Sequence, residues 1–291
     1  MKGSRIISAI VIAYTVFTLL LIIITSMLGA FIAGLLTITL GLLVFRWPQF
    51  LQTLRDVERS RRLEIVRRDF VANVSHELKT PVTAIRGLVE TILDDPQMPE
   101  NTKARFLGKI KGQCTRLSTL VTDLLALSRL ESQDREETHV YVDLRDPIQE
   151  STQALTLNGE KKNIRVNILL PEAAVRVRGD EEALRQAVDN LLDNAVKYTP
   201  AGGQIWVRLM SSQSLATVEV EDTGIGIENQ AQERIFERFY RVDRARSRAL
   251  GGTGLGLSIV KHVALSHSGS VHVDSTLGQG STFRINLPLT A

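Results

Sequence analysis

One cysteine, Cys114, in 291 residues leaves nothing to pair with inside the chain, which excludes an intramolecular disulfide and suits a reducing compartment. A lone thiol of this kind is expected to serve as a small buried residue. Charge of a single sign is lacking too: 35 Lys and Arg stand against 32 Asp and Glu, a net of +3, too balanced for a nucleic-acid binder. No internal repeat or low-complexity tract is present. One stretch lacks charge altogether, from Ile6 to Phe45.

A helix crosses the ~30 Å hydrocarbon core of a bilayer in about 20 residues, so the uncharged run has room for two spans. Lys2 and Arg5 precede it, and Arg46, Arg55, Arg59, Arg61 and Arg62 follow it. Positive residues on both flanks place both in the cytoplasm, which requires an even number of crossings. The pattern therefore predicts a transmembrane helical hairpin over residues 1–45 reversing near Ser26–Gly29, with one long span as the alternative. A cleaved signal peptide would leave the second half of the run unexplained.

Gly and Pro are missing from Gln49 to Thr80, and Leu63, Val66, Phe70, Val74 and Leu78 recur at helical spacing. Asp94-Asp95-Pro96-Gln97-Met98-Pro99 reads as a turn. A second helix is expected over about Thr102–Leu130, with Phe106, Ile110, Leu117, Val121, Leu124 and Leu127 on one face. An antiparallel hairpin cannot bury its apolar stripe on both sides, so two chains are expected to close a four-helix bundle. Beyond Ser132 short strands are predicted at Ile164–Leu169, Ile205–Leu209, Thr217–Glu221, Val271–Asp274 and Thr282–Leu287. Helices interleave at Leu144–Leu157, Glu181–Tyr198 and Leu257–Ser266, giving a one-sheet α/β domain. The expected organisation is residues 1–45, a juxtamembrane signalling helix over 46–69, a dimerisation hairpin over 70–132 and an α/β domain over 133–291.

In the helix around Val188, Asn190, Asn194 and Lys197 share one face while Leu184, Val188, Leu191 and Ala195 share another. Asparagine is a poor helix-interior residue. Two in register read either as amide oxygens presented to a cation or ligand, or as a solvated face. Asp222-Thr223-Gly224-Ile225-Gly226 follows a strand, and Gly251-Gly252-Thr253-Gly254-Leu255-Gly256 opens a helix. Glycines allow close backbone approach, and a helix N-terminus offers free N–H groups to phosphate. Neither segment has the spacing of a P-loop or of a dinucleotide fingerprint. Together with the asparagine helix, they point to a nucleotide pocket.

"NLLDNAVKYTP", "DTGIGI", "FERFYR" and "GGTGLGLSIV" resemble the N, first G, F and second G boxes of the histidine-kinase ATPase domain, an α/β sandwich of the gyrase–chaperone–kinase type. "FVANVSHELKTP" resembles the H box of the same bacterial two-component sensor kinases, and "FYRVDRARSR" resembles their phosphate-regulon sensor subgroup. The resemblance implies a protein-histidine kinase that takes phosphate from ATP with Mg²⁺ onto His76 and passes it to an aspartate of a response regulator. It also implies a homodimer in the bacterial inner membrane, with its catalytic domains in the cytoplasm.

By the same resemblance Glu77 orients the ring or accepts its proton, and Thr80 serves a phosphatase reaction on the phospho-regulator. Asn194 binds Mg²⁺ with Asn190 supporting it, Lys197 contacts phosphate and Tyr198 lies beside the nucleotide. Asp222 accepts the adenine amino hydrogen, with Gly224 and Gly226 shaping its wall. Arg241 reaches the phosphates, while Gly252, Thr253, Gly254, Leu255 and Gly256 form lid hinge and phosphate cradle. A free imidazole titrates at about 6.5, so much of it is neutral at cytoplasmic pH and able to attack phosphorus. Thr80, at i+4, faces His76, and Pro81 is expected to bend the helix beside it. A non-catalytic membrane adaptor and an ATP-driven clamp are the competing readings. Only 24 residues, Arg46 to Asp69, separate the uncharged run from the H box. The input is accordingly expected to arise within the membrane or to come through a partner membrane protein.

Overall fold

The computed structural model describes residues 2–131, 140–159, 162–243, 247 and 251–290. The chain divides into two units, Met1–Asp69 and Phe70–Ala291. Helix α1 spans Lys2–Asp94 and contributes to both.

Within the first unit, Val11–Gly41 forms one apolar helix of 31 residues, whose most apolar stretch of 18 has a mean hydropathy of 2.6. The helix passes through Ser26–Gly29 without reversing, so one continuous helix, long and apolar enough to cross a membrane, stands where two spans were expected. No proline interrupts Ile6–Phe45, and an isolated glycine costs a helix only about 1 kcal/mol. Five threonines in the run donate their hydroxyls to carbonyls four residues back, at 2.9–3.1 Å: Thr15 to Val11, Thr18 to Tyr14, Thr25 to Leu21, Thr37 to Ala33 and Thr39 to Leu35. Their polar hydrogens are thus satisfied inside the helix. The side chains of Leu63 and Val66 lie outside the described residues.

In the second unit α1 ends at Asp94 and α2 runs from Glu100 to Glu131. The intervening prolines make the predicted turn, with Met98 N–H donating to Asp95 O and Thr102 N–H to Pro99 O. Helix α1 continues through Pro81. Cys114 is exposed on α2, contrary to the buried role expected for it. The buried face of α2 carries Leu120, Leu127 and Leu130, together with the carboxylate of Asp123.

The α/β part contains β1 (Val140–Asp143), α3 (Arg145–Gly159), β2 (Arg165–Leu169), β3 (Arg176–Gly179), α4 (Glu181–Tyr198), β4 (Gln204–Ser211), β5 (Leu215–Asp222), α5 (Asn229–Gln232), α6 (Gly256–Ser266), β6 (Ser270–Thr276) and β7 (Gly280–Pro288). Among the described residues two sheets form rather than the single one expected. Strands β1 and β3 make an antiparallel pair, and the other five follow the order β2-β4-β5-β7-β6. Only β2 and β4 pair in parallel in the larger sheet. Alternate residues of β4, β5 and β7 face the core, with Val207 opposite Val220 and Val220 opposite Phe283. Helices α3, α4 and α6 pack beside one another over this layer. The opposite face carries a charge ladder: Glu219 accepts from Arg208 and Arg284, each at 2.7 Å, and Arg284 also pairs with Asp274.

Helix α4 begins where Asp180 Oδ1 accepts from Ala183 N–H, and Glu181 and Glu182 add charge that suits the positive helix end. Ala183, Leu184, Ala187, Val188, Leu191, Leu192 and Ala195 are buried against the sheet. That burial turns the opposite side of α4 toward a cleft.

Candidate active site

A cleft of about 240 Å³ opens where α4, the end of β5, the glycine segment before α6 and the middle of α2 meet. Asn190, Asn194, Lys197 and Tyr198 line it from α4, Asp222 and Gly226 from β5 and its turn, and Arg241, Gly252, Thr253, Gly254 and Gly256 from the other wall.

Asp222 is buried, at 6% exposure, and Gly224 N–H donates to its Oδ1 at 2.7 Å. Burial pushes the carboxyl up to about 6, against the lowering effect of the backbone donors from Gly224 and Ser281. Gly224 stands behind this carboxylate and does not line the cleft: a Cβ there would meet Asp222 Oδ1 at 2.4 Å. Gly226 has φ +69°, and a Cβ on it would lie 2.0 Å from Thr276 O. On α4, Asn190 Nδ2 donates to Gln186 O, and its Oδ1 lies where a Cβ on Gly256 would approach to 2.6 Å. Lys197 pairs with Asp193, and the Tyr198 hydroxyl donates to Ser247 Oγ. Leu255 is fully buried and serves the core; its N–H donates to Thr253 Oγ1, so its contribution is to place Thr253.

Arg241 is the most enclosed cation of the cleft, its side chain 4% exposed. Its Nη2 donates to Thr253 O at 2.6 Å and to Glu77 Oε2 at 3.0 Å, while its Nε is buried with no partner among the described residues. A buried donor without an acceptor is costly in a folded protein, and at a cleft wall it marks a place for a ligand acceptor. These groups suit a nucleotide polyphosphate: a guanidinium, an ammonium, hydroxyl and backbone donors, and glycines that leave room. Among the described residues no cluster of three or more His, Cys, Asp and Glu side chains could hold a metal ion. Mg²⁺ binds beside phosphates through one or two protein oxygens, so the carboxamide of Asn194 fits that requirement.

His76, Glu77 and Thr80 are outside the cleft, on α1. His76 is exposed. The Thr80 hydroxyl donates to His76 O at 3.0 Å, so in this arrangement it engages the backbone rather than the imidazole. Glu77 accepts from Arg116 Nη2 of α2 at 2.7 Å and from Arg241, joining the hairpin to the cleft.

Sequence reasoning missed Thr119 and Asp123 of α2, which also line the cleft. Asp123 Oδ2 accepts from Thr253 Oγ1 at 2.7 Å, and burial raises its pKa against the lowering effect of that bond. Its signal was a carboxylate in register with Leu120, Leu127 and Leu130 on an apolar face, where an unpaired charge would be expensive.

A sheet of this order, with an asparagine-bearing helix over a cleft walled by a buried aspartate and a glycine segment, defines an ATPase domain of the gyrase and chaperone type. The family model described as "Histidine kinase-, DNA gyrase B-, and HSP90-like ATPase" matches residues 179–291, and that described as "His Kinase A (phospho-acceptor) domain" matches residues 66–133. The sensor-like histidine kinase SenX3 of Mycolicibacterium smegmatis is 42% identical over 233 residues, covering 80% of this chain and 60% of the relative. The phosphate regulon sensor protein PhoR of Pseudomonas aeruginosa is 44% identical over 238 residues, covering 81% and 53%. Among solved structures, the histidine kinase ThkA in complex with response regulator protein TrrA superposes with a TM-score of 0.65 at 25% identity, over 80% of this chain and 64% of that one. The chain belongs to the histidine kinases. It spans 53–60% of the length of the two curated relatives described.

Proposed function

We propose that this chain is a membrane-anchored sensor histidine kinase. It transfers the γ-phosphoryl group of ATP to His76 and then to an aspartate of a response regulator, and it also acts as a phosphatase toward that regulator. The carrying observation is a cleft with a buried Arg241 Nε that has no partner among the described residues, in the same unit as an exposed histidine on a helix. In the transfer an imidazole nitrogen of His76 forms a bond to phosphorus, the bond from phosphorus to the bridging oxygen of ADP breaks, and the ring proton leaves. Glu77 is the neighbouring carboxylate to receive or relay that proton once it parts from Arg241. Asp222 orients adenine, Tyr198 flanks the nucleotide, and Arg241, Lys197 and the glycine segment hold the phosphates. Mg²⁺ held by Asn194, with Asn190 in support, would neutralise phosphate charge. Positioning and neutralisation of this kind account for most phosphoryl-transfer catalysis.

Dimerisation is part of this reading. Val71, Val82 and Leu93 of α1 and Leu107, Val121 and Leu125 of α2 are 44–71% exposed, an apolar surface that a second copy of the hairpin would cover in a four-helix bundle. At 1.5 Å per residue Val11–Gly41 is about 46 Å long, enough for one tilted crossing of a bilayer. Arg46, Arg55, Arg59, Arg61 and Arg62 after the span outnumber Lys2 and Arg5 before it, which favours a cytoplasmic catalytic part. A partner membrane protein or the span itself would bring the input. After incubation with Mg²⁺ and ATP, ³¹P NMR of the chain is expected to show a phosphoramidate, absent when EDTA removes the metal. A spectrum without it in the presence of Mg²⁺ would contradict the proposal.

A further inference from the structure

Two carboxylates of the hairpin occupy the groups assigned above to phosphate. On α2, Asp123 is 7% exposed and its Oδ2 takes the Thr253 hydroxyl at 2.7 Å, between the two glycines of the cradle. On α1, Glu77 takes both terminal nitrogens of Arg241, Oε1 from Nη1 at 3.3 Å and Oε2 from Nη2 at 3.0 Å. Carboxylate and phosphate oxygens are interchangeable as charged acceptors for a guanidinium or a hydroxyl. Apolar contacts hold the same docked arrangement: the rings of Phe70 and Phe239 lie 5.8 Å apart, the Arg238 guanidinium sits 5.3 Å from the Phe70 ring, and Leu120, Leu127 and Leu130 are buried in a core shared with the ATPase domain.

We propose that Asp123 and Glu77 are internal phosphate stand-ins, so that the docked hairpin and the nucleotide compete for Thr253 and Arg241. This rests on the reading of the cleft as an ATP site. A polyphosphate placed among Lys197, Thr253 and Arg241 brings negative charge beside Asp123, in a setting where burial weakens solvent screening. Binding therefore expels Asp123 and frees Glu77 from Arg241. Glu77 adjoins His76 in the chain, so arrival of ATP withdraws the Arg241 guanidinium from the carboxylate next to the phospho-acceptor, while its pair with Arg116 remains. A cell signal that loosens docking would tighten nucleotide binding by the same linkage, because coupling between two sites is reciprocal.

The test is the affinity of the full chain, in detergent micelles, for the Mg²⁺ complex of a non-hydrolysable ATP analogue, by calorimetry. Asp123→Asn keeps the side chain's size and an acceptor for Thr253 but removes the charge; about tenfold tighter binding is expected. Phe70→Ala touches none of the nucleotide groups and weakens docking only; a smaller tightening, of about threefold, is expected. Unchanged or weaker binding in either variant, with wild type binding measurably, overturns the competition while leaving the ATP site standing. Failure of the wild type itself to bind would sink the ATP reading and the inference with it.

Discussion

Asp222 answers to two opposed requirements. Under the proposed function its carboxyl must be sheltered to pair with an adenine amino group, and that shelter pushes it up to about 6. Because the folded value lies above the unfolded one, the fold is favoured with the proton on: this contribution is full below pH ~4 and is lost as pH rises through about 6. At neutral pH the ionised group therefore costs the nucleotide-free domain stability. Asp222→Asn preserves an acceptor for Gly224 and removes the charge. It is expected to raise the apo melting temperature at pH 7.5 by several degrees while weakening nucleotide binding at least tenfold, read by thermal unfolding and calorimetry. Asp222 was legible in the sequence because it ends a strand and precedes two glycines. Asp123 was not, because a single acid inside an apolar stripe looks like a break in the pattern until its partner, Thr253, is brought to it from 130 residues away. Gly224 was assigned to the wall at Asp222 and Leu255 to the phosphate cradle, but neither lines the cleft, a distinction that depends on which way a loop turns.

Elements with strong periodicity were predictable, and α4 is the clearest, its bounds of Glu181–Tyr198 agreeing with the apolar face read from the sequence, to which the fold adds Asp180 as cap. Strands β1 and β3 escaped because four residues each, Val140–Asp143 and Arg176–Gly179, are too short for alternation to register. The reversal expected at Ser26–Gly29 rested on flanking charge, which counts crossings but does not break a helix. The turn into α6 is the element most exposed to a backbone change. Gly254 has φ +77°, and a Cβ there would stand 3.0 Å from Phe239 Cα. Gly254→Val should cost about 1–3 kcal/mol of stability in nucleotide-free thermal unfolding, since a β-branched residue is strained at positive φ. It should also reduce nucleotide affinity further than that loss of stability explains, by disturbing Arg241 and Thr253.

For the whole molecule, the exposed Val121 and Leu125 on α2 make the hairpin a poor candidate for a solitary existence. Replacing both with Asp should convert a dimer to a monomer in analytical ultracentrifugation of detergent-solubilised protein; an unchanged sedimentation coefficient would place the dimer contact elsewhere. The family and the order of its boxes were readable from sequence, because chemistry dictates those residues. The docking of hairpin on ATPase domain was not, since it depends on pairs such as Glu77 with Arg241 that lie 164 residues apart. The most direct test of the central claim is to incubate wild type and His76→Gln with Mg²⁺ and γ-labelled ATP and then treat both with acid and with alkali. Label that is acid-labile, alkali-stable and absent from His76→Gln is the predicted result. Equal label in both proteins, or none in a wild type that binds ATP, would contradict the account.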